Sequence, residues 1–351
     1  MYDIAIIGLG PAGATLARLL DKKYNVIAID RKNSKFNKCC GGLLSPDAQK
    51  ILAQFDICLP KDVLVNPQIF SVKTIDFDNN IVKYYQRFYM NMNREKFDNF
   101  LISLISSNIE ICSNSICEEI EKEKDVYCVT IKTNGVKRIE KAKIIIGADG
   151  ANSIARNTFY KKNKINKYIS IQEWYKDDKN SPFYSCIFDK EITDSYCWTI
   201  SKDNCFIIGG AFPIKNGNKK FEKLKEKVRN TGINFEKLIK REGCLVDLNK
   251  GLMSTCTGKN GVYLIGEAAG MISPSSLEGI SYSMESAKIL AEIINENLKN
   301  IGQKYFLRTL GIRIKLILKI FKMPFMYNKY LRKVVMISGI KTIKIKRPHF
   351  A

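Results

Sequence analysis

Apolar and polar positions along the chain alternate between two periods. Asp3–Gly8 and Asn25–Asp30 are short apolar runs that read as buried strands, and Ala12–Leu20 between them repeats its apolar residues at helical spacing. Residues 3–30 therefore predict a βαβ unit of about the usual 30 residues. Ser45-Pro46-Asp47 has the form of a helix start, with Ser as N-cap and Pro at the first position. Residues 63–90 alternate as antiparallel strands do, Asn93–Ser106 reads helical, and Ile144–Ala148 is a buried strand. Residues 168–212 predict successive strands of an antiparallel sheet, and Lys219–Glu242 a charged, largely helical stretch. Val262–Gly266 returns to a buried strand, followed by a helix over Gly279–Asn297.

This order predicts an α/β chain with a Rossmann-like dinucleotide-binding domain, an interleaved antiparallel-sheet substrate domain and a C-terminal helical segment. The expected boundaries are 1–62, 92–158 and 258–300 for the first domain and 63–91 with 159–257 for the second. A basic helical segment, 301–351, follows.

Composition narrows the chemistry. The 351 residues hold one histidine, His349, two positions from the end, so Ser-His-Asp or Cys-His catalysis and His-ligated metals are not expected. Eleven cysteines without a C-x-x-C give no sign of a zinc ribbon or a thioredoxin-type pair. The start reads as a strand rather than a secretory signal, and no run approaches about 18 apolar residues, so a cytoplasmic location is expected.

There are 57 Lys+Arg against 35 Asp+Glu, a net charge of +22. From Lys304 onward there are 13 basic residues and no acidic one, which leaves +9 for residues 1–303. In that tail Ile314, Ile317, Leu318 and Phe321 fall at helical spacing beside Lys315, Lys319 and Lys322. Two readings fit: peripheral membrane contact at an anionic surface through 304–351, or a helix packing this stripe on the body with solvated lysines. No RNA-binding aromatic motif appears, so nucleic acid is not an expected partner.

Gly8-Leu9-Gly10-Pro11-Ala12-Gly13 stands between the first strand and the first helix. The first glycine permits the tight turn, the second lets backbone approach a pyrophosphate, and the third lets helix pack on strand. Asp30 closes the second strand, where its carboxylate suits a ribose diol, and Arg31 follows it. A bound dinucleotide is the expectation.

Arg94-Glu95-Lys96-Phe97-Asp98-Asn99-Phe100-Leu101, Gly147-Ala148-Asp149-Gly150 through Arg156, and Val262–Ile280 occur in this order. Together with the glycine motif they resemble the FAD-dependent proteins with the p-hydroxybenzoate hydroxylase fold. That resemblance implies FAD. It places Arg94 at the phosphates, Ile116 at adenine through its backbone, and Asp149 among the cofactor-binding residues. Glu267 would hold the ribityl chain or pyrophosphate, where most relatives have Asp. The helix headed by Gly279-Ile280 would point its positive end at the flavin pyrimidine edge.

Two further segments resemble geranylgeranyl reductases and their bacterial relatives. Lys38-Cys39-Cys40-Gly41-Gly42-Leu43 is similar to K-x-C-G-G-G-L, with Leu43 in place of the third glycine. In that family the loop lies against the flavin ring, which makes Cys40, Gly41, Gly42 and Leu43 expected flavin neighbours. Tyr196-Cys197-Trp198-Thr199-Ile200-Ser201-Lys202 is similar to Y-x-W-x-F-P-K, with Ile200-Ser201 replacing Phe-Pro. By that resemblance Tyr196, Trp198 and Lys202 bind substrate, and Cys40 or Tyr196 is the candidate proton donor.

The expected activity is hydride transfer from reduced FAD to a carbon–carbon double bond of a small apolar, isoprenoid or lipid-like substrate. With no second G-x-G-x-x-G, electrons would come from transiently docked NAD(P)H or a small redox carrier protein. The alternatives are an FAD-dependent monooxygenase acting on an apolar or aromatic substrate, and a membrane- or nucleic-acid-binding flavoprotein with structural FAD.

Overall fold

The computed structural model describes residues 1–31, 38–162, 165–177, 181–249, 251 and 254–345. Its helices are α1 (Pro11–Leu19), α2 (Pro46–Gln54), α3 (Arg94–Ser103), α4 (Ile154–Phe159), α5 (Gly217–Arg229), α6 (Ile280–Glu296), α7 (Ile301–Arg308), α8 (Leu310–Tyr327) and α9 (Lys329–Ser338). The chain forms two compact units, each discontinuous in sequence.

The first unit comprises Met1–Asn37, Glu95–Lys167 and Asp247–Ile320. Its sheet runs in the order 258–259, 262–264, 136–147, 2–7, 26–29, 110–112, and the strand 126–133 joins 115–123 to the 136–147 strand. The strand Tyr2–Ile7 pairs in parallel with Val26–Ile29 and with Val136–Gly147, which puts it at the centre of the sheet. It reads as a near-continuous apolar run because both faces are covered. On one face Leu16 and Ala17 of α1 pack with Leu290, Ala291 and Ile294 of α6. On the other, Val129 and Ile131 pack in a cluster that includes Ile312 and Leu316 of α8. This is the Rossmann-like layer the sequence predicts.

The second unit comprises Lys38–Arg94, Tyr168–Val246 and Phe321–Ala351. Its sheet runs 238–247, 167–176, 205–213, 197–202, 183–188, 69–76, 81–91, 342–343. All the strands expected within 168–212 form. Phe183–Phe188 is antiparallel to Cys197–Lys202 and parallel to Ile69–Asp76, so the sheet is mixed. Phe221, Leu224 and Val228 of α5 cover one face, packed with Phe212, Ile171 and Phe235. A buried carboxylate ties this corner together. Glu173 accepts from Lys225 Nζ at 2.9 Å and from the Tyr175 hydroxyl, and pairs with Arg241 at 3.2 Å.

Several expectations change. The charged stretch 219–242 is not one helix, because α5 ends at Arg229 and Leu238–Asp247 is an edge strand beside 167–176. Gly232, at φ +85°, makes the turn that stops the helix. The first division between units falls at 37/38 rather than 62/63, since residues 43–44 pair with the 81–91 strand. The basic tail is not a separate body: residues up to Ile320 belong to the first unit and the rest to the second.

In α8 the inward residues are Ile312, Leu316 and Met323. Ile314, Leu318 and Phe321 are exposed instead, so packing on the body is done by a different stripe from the one expected.

Candidate functional site

The glycine motif behaves as three different glycines. Gly8 sits at φ +96°, and a Cβ there would lie 2.8 Å from the Ala148 carbonyl oxygen. At Gly13 a Cβ would lie 1.9 Å from the Gly8 carbonyl oxygen, so α1 can approach the strand only without a side chain. At Gly10 a Cβ would meet nothing within 4 Å. Gly10 is also the N-cap of α1, with no side-chain cap bond, and Pro11 gives up the first donor. The remaining first-turn N–H groups are thus left for an anion beside an open space.

Asp30, half-buried, lies with Oδ1 3.5 Å from the Leu9 N–H. Its backbone donates to the Cys112 carbonyl and accepts from Ser115, which seats the 112–115 turn, and exposed Ile116 after it, against the end of the second strand. Arg31 is exposed and Arg94, at the start of α3, is half-buried. An uncapped helix start above an open glycine, with a carboxylate at the neighbouring strand end, fits the ADP half of FAD.

The Asp149-Gly150 turn meets Glu267 in the same unit. Asp149 Oδ2 accepts from the Ile154 N–H at 2.6 Å, capping α4, and burial raises its carboxyl pKa. Asp149 Oδ1 is buried with no hydrogen-bond partner among the described residues. A Cβ at Gly150 would lie 3.7 Å from Glu267 Oε2, while Glu267 Oε1 accepts from the Asp247 N–H at 3.1 Å. Gly279 is the N-cap of α6, and Ile280 opens a second helix without a side-chain cap.

Two residues hold this corner: Arg156, which the sequence motif contains without assigning it a role, and Asp247, which it does not single out. Arg156 is buried and donates to Asp247 Oδ2 at 2.8 Å, to the carbonyls of Glu267 and Ala268 at 3.2 and 3.0 Å, and to Ala151. Burial, then the nearby Glu267 charge, pushes Asp247 up to about 7 against the pull of Arg156. The signal for Arg156 was its place at the end of the Gly147–Arg156 motif; Asp247 had none.

In the second unit the Cys39–Leu44 loop is fixed from several sides. Met92 N–H donates to the Gly42 carbonyl at 2.8 Å, and Gln172 donates to the Cys40 carbonyl at 3.2 Å. The Gly42 N–H points at Cys40 Sγ, 3.3 Å away. Gly42 has φ +63°, and a Cβ there would fall 2.4 Å from the Met92 carbonyl oxygen. Cys39 is buried, and the neighbouring Cys244 thiol together with burial holds its own thiol well above the ordinary range.

Lys202 is 4% exposed, and Nζ reaches the Gly42 carbonyl at 3.1 Å, the Met92 carbonyl at 2.7 Å and Asn91 Oδ1. Burial lowers its pKa to about 7, while three oxygen acceptors match the three donors of the ammonium form. The side chain expected at substrate thus holds the loop backbone.

Tyr196 and Trp198 share a side of the sheet, with ring centroids 5.7 Å apart, and Tyr89 and Tyr184 form a second pair at 5.6 Å. Trp198 covers Gly209, where a Cβ would lie 2.7 Å from the indole. One C-x-x-x-x-C spacing exists in the chain, Cys112 and Cys117 of the first unit, but their thiols reach separate carboxylate and carbonyl acceptors on Glu110 and Glu119.

No protein-family model matches the chain. It is 45% identical over 346 residues to protein CbrA of Escherichia coli O9:H4, covering 97% of this chain and 94% of that one. It is equally similar to protein CbrA of Shigella sonnei, with 98% of the relative covered. Among solved structures it resembles a geranylgeranyl bacteriochlorophyll reductase-like protein of Thermoplasma acidophilum, with a TM-score of 0.81 at 18% identity, covering 98% and 94% of the two chains. A triple mutant of the flavin-dependent brominase Bmp2 gives 0.70 at 17% identity over 97% and 94%. PqsL of Pseudomonas aeruginosa, a probable FAD-dependent monooxygenase, gives 0.69 at 12% over 96% and 99%. The shared feature is the fold of flavin-dependent oxidoreductases.

Proposed function

Because this chain belongs to the CbrA family and has the fold of flavin-dependent oxidoreductases, we propose that it is an FAD-dependent reductase of carbon–carbon double bonds in an apolar, isoprenoid or lipid-like substrate. The observation that carries this reading is the Lys202–Gly42 hydrogen bond. It joins the two segments that resemble geranylgeranyl reductases, which lie 160 positions apart in the chain. The Thermoplasma acidophilum neighbour, reductase-like by name, supports the same choice.

Reduction adds a hydride to one alkene carbon and a proton to the other, and FAD supplies the hydride when bound and reduced. The chain's own work is to bind and orient. The first turn of α1 would take the pyrophosphate, Asp30 the ribose, and Glu267 the ribityl chain. Lys202, Met92 and Gln172 hold the Cys40–Gly42 backbone in one shape. Cys40, Tyr196 or water would deliver the proton. Electrons would reach the protein from NAD(P)H or an acidic redox carrier, which the net charge of +22 favours.

The monooxygenase reading draws on the PqsL likeness and predicts a different product. The test is anaerobic turnover of the reduced holoprotein with a polyprenyl lipid. A product heavier by two hydrogens, with flavin reoxidised, supports the reductase. No reaction until oxygen is admitted, followed by a product heavier by one oxygen atom, overturns it.

A further inference from the structure

α8 is apolar on two opposite sides. Ile312, Leu316 and Met323 are 1–9% exposed, while Leu310, Ile314, Leu318, Phe321 and Phe325 are 49–63% exposed. At 3.6 residues per turn, roughly 100° per residue, the five exposed side chains fall within an arc of about 80°, roughly opposite the buried three. Single exposed apolar residues are ordinary on a protein surface, but a continuous stripe of them marks an interaction face. Lys315, Lys319 and Lys322 run along one border of the stripe, with Lys315 also bonded to Glu285 at 3.0 Å.

α9 repeats the arrangement within the second unit. Arg332 and Met336 are buried, and the Arg332 guanidinium grips Asp76 through two bonds of 2.8 Å and Asp78 through one of 2.6 Å. That buried fork fixes which side of α9 faces out, and the outward side carries Tyr330, Val334 and Ile337, 62–68% exposed.

The charge of the segment selects the occupant. From Lys304 to the end no acidic residue balances 13 basic ones. A second copy would set one lysine-bordered stripe against another on chains of net charge +22. Nucleic acid would use the lysines and leave the leucine and phenylalanine stripe wet. A surface that is apolar within and anionic at its rim takes both features. Among the described residues no helix is long and apolar enough to cross a membrane, so the fitting geometry is one in which the helix lies along the surface.

We propose that the outer stripe of α8 docks the protein on an anionic phospholipid surface, and α9 carries an outward apolar stripe of its own. An apolar substrate would then be met in its own phase, but the docking itself assumes nothing about the redox reaction.

The test is flotation of FAD-loaded full-length protein with vesicles of phosphatidylcholine alone and of phosphatidylcholine mixed with phosphatidylglycerol. The wild type is expected to float with the mixed vesicles only, and less at high salt. Leu318→Glu combined with Phe321→Glu should lower binding about tenfold or more, with flavin content and melting temperature unchanged. Lys319→Glu should weaken binding to mixed vesicles while keeping the stripe. Absence of wild-type flotation overturns the proposal, as does equal flotation of the double variant. A wild-type dimer that the double variant makes monomeric also overturns it, and identifies a second copy as the occupant. Since none of these readouts involves turnover, a failed reductase assay leaves the result intact.

Discussion

Arg156 donates to Asp247 Oδ2 at 2.8 Å, 91 positions away in the chain, in a buried corner beside Glu267. Burial and Glu267 raise Asp247 to about 7, so the folded protein keeps this proton through a range where the unfolded chain, near 3.8, has lost it. The stabilising contribution is therefore complete below the unfolded value, declines as pH rises from about 4, and is gone above about 7. Asp247→Asn removes this dependence. Urea melts of the two proteins across that window should show wild-type stability falling relative to the variant as pH rises. A parallel pair of curves would mean that Asp247 is already ionised throughout.

Lys202→Met should loosen the Cys39–Leu44 loop while leaving Tyr196 and Trp198 in place. The methionine leaves the Gly42 and Met92 carbonyls and Asn91 short of a donor in a dry site, a cost of about 3 kcal/mol. The specific readout is alkylation of Cys40, mapped by mass spectrometry, because Cys40 shares the turn that Gly42 anchors. Its rate should rise several-fold while that of buried Cys256 stays unchanged. Equal Cys40 rates would show that the Met92 and Gln172 bonds hold the loop alone.

The first layer of the fold was legible because its signals are local. The glycine motif, the strand that Asp30 closes and the Ser45 cap each sit within one or two elements, and each forms as read; Ser45 accepts from Ala48 at 3.4 Å. What the chain order hides is partnership at a distance. Lys202 carries a resemblance to a substrate residue, but its acceptors come from residues 42, 91 and 92, which no spacing rule brings to residue 202. Leu238–Glu242 was read with the charged helical stretch before it, and it became part of the Leu238–Asp247 strand because the 167–176 strand had an open edge. In α8 two apolar stripes overlap in sequence, and periodicity cannot say which one the body of the protein covers.

Glu173 is the residue on which the corner between α5 and the 167–176 and 238–247 strands depends. It receives Lys225, Arg241 and the Tyr175 hydroxyl while 2% exposed. Glu173→Gln keeps the shape but leaves buried Lys225 with only its half-exposed partner Glu222. The expected loss is about 3 kcal/mol, seen as a lower denaturation midpoint with an unchanged slope. Glu222→Gln, at the outer rim of the same network, should cost less than about 1 kcal/mol. Similar losses from both would mean that the network is solvated.

Gly10 and Gly13 separate folding from cofactor binding. Alanine at Gly13 places a methyl 1.9 Å from the Gly8 carbonyl oxygen, which is backbone and cannot swing away, so α1 must lift from the strand. Gly13→Ala should therefore destabilise the apoprotein as well as the holoprotein, by several kcal/mol. Alanine at Gly10 touches no protein atom within 4 Å, and its extended backbone suits any residue. Gly10→Ala should leave the apoprotein melting temperature where it is and weaken FAD by about tenfold or more, because the methyl enters the space a pyrophosphate would fill. Differential scanning fluorimetry with and without FAD, and a flavin fluorescence titration, read both quantities on the same two variants. Wild-type FAD affinity in Gly10→Ala would move the phosphates away from the start of α1, and with them the assignment of Asp30 to the ribose.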